Sequence, residues 1–118
     1  MPYLAYFDHA LLLFDQGRHK AALSELQTVL AQYPDDLNAL FYLGLCCYNL
    51  GLFQRAKSLF LATSHHPVGT FNEEALWYHA LAVEQEDGPD AADPLFERIA
   101  AQGGFYAARA KARMGIAK

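Results

Sequence analysis

A chain of 118 residues is long enough for one domain that buries about two-thirds of its unfolded surface. Hydrophobic residues make up 53% and charged residues 19%, a balance that excludes a disordered chain. Thirteen acidic against nine basic residues leave a net charge of −4, which repels phosphates and argues against a nucleic-acid partner.

Apolar residues recur at helical spacing along nearly the whole sequence, and no long stretch alternates as a strand would. Pro2 suits the first turn of a helix that carries Tyr6, Ala10, Leu13 and Phe14, and Gly17 ends it. A second helix carries Ala22, Leu26, Val29 and Leu30 and closes at Tyr33-Pro34, because a residue before proline is pushed out of the helical region. Asp35 or Asp36 then caps a third helix over about residues 37–50, which turns at Gly51. A fourth helix spans about residues 53–64 and stops before His66-Pro67. Thr70 opens a capping-box pattern with Glu73, with Asn72 as the other candidate cap, and a fifth helix runs to about Glu86. Asp87-Gly88-Pro89-Asp90 is turn chemistry. A sixth helix starts at Asp90, or at Asp93 with Pro94 in the first helical position, and ends at Gly103-Gly104. A seventh covers about residues 105–114.

Sliding the chain against itself reveals a repeat. At an offset of 34, Ala10, Gly17, Ala22 and Leu26 fall on Gly44, Gly51, Ala56 and Phe60. At an offset of 36, Ala80, Ala92, Leu95 and Phe96 fall back on Gly44, Ala56, Leu59 and Phe60. Small residues at these places let the two helices of a pair approach closely, and the larger ones fill the space between pairs. One pair cannot bury both of its faces, so the pattern implies a stack of helix pairs.

These residues resemble the tetratricopeptide repeat family. The middle unit matches best, with Leu40, Leu43-Gly44, Cys47, Ala56 and Phe60, although Pro67 comes one residue early. The first unit matches at Tyr6, Ala10, Leu13, Ala22, Leu26 and Pro34, with His9 in place of the usual Leu. The third is looser: His79 replaces that Leu, Val83 the usual Tyr, and Gly104 stands where Pro is expected. The implied fold is an all-α, right-handed α-α superhelix of about seven helices. Its repeats would cover about residues 3–36, 37–70 and 73–104, with a capping helix at about 105–115. The stretches Glu74-Ala-Leu-Trp-Tyr-His-Ala-Leu-Ala82, Pro94-Leu-Phe-Glu-Arg-Ile-Ala100 and Tyr106-Ala-Ala-Arg-Ala-Lys-Ala112 look like bacterial, Bacteroidetes-type repeat domains that sit behind a membrane anchor.

In this family the first helix of each repeat lines the concave face. Carried over, that face takes Phe7, Leu11 and Phe14, then Asn38, Phe41, Leu45, Tyr48 and Asn49, then Glu74, Trp77, Leu81, Glu84 and Gln85. Phe41, Leu45 and Tyr48 are expected to face away from the stack. The resemblance implies a module that binds a peptide or amphipathic segment of another protein along this apolar groove. The alternative is self-association into a homodimer, or a small chaperone-like binder of an apolar client. Relatives that clamp a terminal carboxylate use Lys and Asn where this chain has Phe7 and Leu11, which argues against that mode. Glu84, Glu86 and Asp87 crowd the C-terminal end of the fifth helix, where anions are disfavoured, and Arg113 and Lys118 are placed to offset them.

Catalytic and metal signatures are missing. His65-His66 come with no Cys-x-x-Cys or His-Glu-x-x-His spacing, and His9 and His79 share one repeat position as packed or edge histidines, so no metal or cofactor is expected. Gly103-Gly104 is a helix stop, Cys47 takes a core position, and adjacent Cys46 and Cys47 imply no disulfide. The carboxylates from Glu84 to Asp93 lie on a turn that offers no burial to tune them, so no enzyme is expected. The longest apolar run, residues 39–48, is too short to insert in a bilayer. Residues 1–14 lack a basic start and carry Asp8, unlike a secretory leader. The expected compartment is the cytoplasm if the chain is complete, and the periplasm if it is an excised domain of an anchored protein.

Overall fold

The computed structural model describes residues 2–116, with side chains described from Phe7 to Met114. The side chain of Tyr6 and the whole of Lys118 lie outside the described residues. Seven helices follow in order: α1 (Pro2–Asp15), α2 (His19–Gln32), α3 (Leu37–Asn49), α4 (Phe53–Ser64), α5 (Asn72–Asp87), α6 (Pro89–Gln102) and α7 (Ala107–Ile116). No strand occurs among the described residues. Each helix packs on its neighbour in sequence, and the short connections make those neighbours antiparallel. Among the described residues α3 and α5 also touch at one remove, and Tyr42 of α3 meets Phe7 and Phe14 of α1, so the first helices of the pairs form a common, inner layer. The stack is 49 Å long and 27 by 20 Å across.

The small residues found by self-comparison do the packing. Ala10, Ala22, Ala56, Ala80 and Ala92 are fully buried, as are Leu26 and Phe60, with Phe96 nearly so. A side-chain carbon on Gly44 would sit 2.7 Å from the Phe60 ring, so only glycine lets α4 close on α3 with that ring in place. Gly17 and Gly51 occupy equivalent turns and take the same left-handed backbone, with φ of 77° and 79°. The core divides into two clusters, one around Leu26, Phe41 and Phe60 and one around Trp77, Phe96 and Ile99, with Tyr78 packed against both.

Helix caps refine the expected boundaries. Asp36, not Asp35, caps α3: its carboxylate accepts the Ala39 N–H at 2.9 Å. The capping box at Thr70 does not form, because α5 begins after Phe71, whose side chain makes no capping hydrogen bond. Pro89 takes the first position of α6, so that helix starts one residue before Asp90 and encloses Pro94. Gly104 stands where proline was expected, with the exposed Glu73 carboxylate lying over it. On the far edge of the stack, His66 ties two loops together. Its Nε2–H donates to the Asp35 carbonyl at 2.8 Å, and its Nδ1 accepts the Val68 N–H at 3.0 Å.

Candidate partner-binding groove

The inner layer is built by α1, α3 and α5, and aromatic side chains join one helix to the next. Tyr42 stands edge-on to Phe7 (6.0 Å between ring centres) and to Phe14 (5.6 Å), bridging α1 and α3. Tyr78 meets Tyr48 (6.3 Å) and Phe60 (5.6 Å), bridging α3 and α5. Tyr42 and Tyr78 are 36 residues apart, and that spacing is the signal by which the sequence could have disclosed them.

The expected groove residues separate into two sets. Phe7, Leu11, Phe14, Leu45, Tyr48 and Leu81 are half-buried, with part of each side chain open to solvent, and Asn49 is exposed. Phe41 and Trp77 are different: they are 6% and 7% exposed, so neither faces away from the stack. Each is covered by the residue that leads into the following pair. Phe71 stacks on Phe41 at 4.5 Å with the rings 11° from parallel, and Tyr106 stacks on Trp77 at 5.2 Å and 14°. Residues 41 and 77 therefore glue successive pairs instead of waiting for a ligand.

The acidic end is also partly spent. Arg113 on α7 forms an ion pair with Glu84, its Nε donating to Oε2 at 3.3 Å, and Lys57 donates to Asp87 at 2.8 Å. Tyr48 lies beside the first of these pairs. Burial chiefly, then Glu84 and Tyr78, hold its hydroxyl above the usual range, while Arg113 acts the other way. Tyr48 thus presents a neutral O–H, able to donate or accept, at the end of an otherwise apolar strip.

Burial, reinforced by Cys47, pushes the Cys46 thiol up to about 12, so the inner thiol stays protonated and unreactive. Cys47 is raised for the same reason, with Arg55 opposing. His9 is exposed, with Nδ1 2.8 Å from Glu25, while His79 is half-buried and lowered by burial, then by Lys57 and His65. Among the described residues, no group of three or more His, Cys, Asp or Glu is placed to hold a metal ion, and no helix is long and apolar enough to cross a membrane.

Comparison with known families decides the class, since residues 7–63 match the tetratricopeptide repeat model. Residues 7–63 belong to the tetratricopeptide repeat family. The matched segment covers the first two helix pairs, where the Gly44–Phe60 contact and the paired turns at Gly17 and Gly51 lie. Tetratricopeptide repeats are a non-catalytic fold that serves as a protein–protein interaction module. No curated protein matches the chain.

Proposed function

We propose that this tetratricopeptide repeat protein binds a segment of another polypeptide along the inner layer, with α5 and α6 acting as a third repeat. The contact side chains are Phe7, Leu11, Phe14, Leu45, Tyr48 and Leu81, with Asn49 at the rim. The observation that carries this reading is their partly exposed state: large apolar groups line α1, α3 and α5, while comparable groups at 41 and 77 have been covered. The bound segment presents apolar side chains to this strip and a hydrogen-bonding group to the Tyr48 hydroxyl.

Selection of displayed peptides against the purified chain, followed by titration of a selected peptide, tests the assignment. Leu45→Glu and Tyr48→Ala should each weaken binding about tenfold or more. Leu61→Glu, on an exposed position of the outer helix α4, should leave it unchanged. Binding that ignores the first two variants, or is lost with the third, would place the partner elsewhere.

A further inference from the structure

The edge of the stack where each first helix turns into its second has a charge order that runs from one sign to the other. The three turns lie side by side. Leu50 of the second turn shares an open depression of about 550 Å³ with residues 17–21 of the first. Lys57, early in α4, reaches Asp87 of the third turn. The first turn exposes Arg18 and Lys20 against the single acid Asp15. The third exposes Glu86 and Asp90, which make no ion pair among the described residues. Between them, the Leu50-Gly51-Leu52 turn exposes both leucines, at 39% and 42%.

We propose that this edge is a homodimer interface, occupied by a second copy of the chain related by a two-fold axis through the middle turn. A basic–apolar–acidic order is self-complementary under such an axis. Arg18 and Lys20 of one copy face Glu86 and Asp90 of the other, twice over, and the leucines meet their own counterparts at the centre. Turns are ordinarily polar, and this one carries two leucines that each leave about two-fifths of their surface in solvent. The inner layer stays open in this arrangement, so the dimer does not depend on the groove reading.

Sedimentation of the full chain across micromolar concentrations tests the proposal, at low salt and in about 1 M salt, where charges are screened beyond about 3 Å. The expected result is a dimer that dissociates more readily in high salt and is lost in Leu52→Glu. Lys20→Glu and Glu86→Lys should each weaken it about tenfold, and the two together should restore it, because the swapped charges face each other again. Glu86→Lys also removes an acid from the C-terminal end of α5, so a weaker dimer cannot be ascribed to a weaker fold. A monomer under all conditions overturns the proposal. So does a dimer indifferent to these charges but abolished by Tyr48→Ala, which would lie in the groove.

Discussion

Replacing Gly44 by alanine pits two opposed effects against each other, and the structure decides between them. In an ordinary helix interior the change is favourable by about 1 kcal/mol, because alanine restricts the unfolded chain and suits a helix. Here the new methyl would lie 2.7, 2.9 and 3.1 Å from three atoms of the Phe60 ring, against a comfortable separation of about 3.5–4.0 Å. The ring has little room to retreat. It is fully buried and backed by Tyr78 at 5.6 Å and Phe41 at 6.1 Å. Overpacking of this kind costs about 1–3 kcal/mol, so the net is a loss of about 1 kcal/mol, or about 4 °C in Tm for a domain of this size. Urea unfolding followed by circular dichroism would measure it, in the wild type and in a Phe60→Leu background. With the ring gone, the same alanine should become neutral or stabilising, giving a coupling of about 1–2 kcal/mol between the two sites. An alanine that stabilises the wild-type chain, or behaves alike in both backgrounds, would refute the steric account.

Four further outcomes are expected. Phe71→Ala should cost about 2 kcal/mol, less than the roughly 3–5 of a fully buried ring. Phe105→Ala should stay within about 0.5 kcal/mol, because that side chain is 69% exposed; chemical denaturation separates the two. His79 is held below its ordinary value of 6.5, so the folded state resists protonation more than the unfolded state does. Its contribution is complete above pH 6.5 and is lost as pH falls below that value, so Tm should drop on acidification and His79→Gln should flatten the drop. Arg113→Ala should reduce stability by no more than about 1 kcal/mol, with the difference shrinking in high salt, since the pair with Glu84 is only partly buried.

The helix pairs were legible because close packing demands small residues at fixed places, and Ala10, Gly44, Ala56 and Ala92 recur at the required offsets. The turns were legible for a similar reason, since Gly17 and Gly51 answer one backbone requirement. The groove was read less well. Helical register assigns residue 41 or 77 to a face, but it does not reveal that the chain leading into the next pair crosses that face. Phe71 and Tyr106 belong to loops, and a helix wheel contains no loop. Tyr42 and Tyr78 were passed over because they adjoin the residues that register favoured. Arg113 was placed near the acids at the end of α5 by the up-and-down order of the helices, and of those acids it is Glu84 that it pairs with. At the starts of α5 and α6 two local signals competed within a few residues, and neither marks the boundary: Phe71 precedes α5 where Thr70 or Asn72 was expected to cap, and α6 begins at Pro89 ahead of both Asp90 and Asp93.

The stacked pairs Phe41–Phe71 and Trp77–Tyr106 bear on how the chain divides energetically. A cut placed neatly between α4 and α5, just before Phe71, would leave Phe41 without its cover, although both flanking helix pairs would be whole. A cut after Phe71 would keep that stack with the first two pairs. Stability should therefore be lost in blocks offset from the helix pairs by one lead-in residue, with the Phe41–Phe71 stack adding to the coupling that Tyr78 makes with Phe41, Tyr48 and Phe60. Hydrogen exchange should find protection on the inner face of α3 following the state of the loop before α5 more closely than that of α3's own hairpin partner.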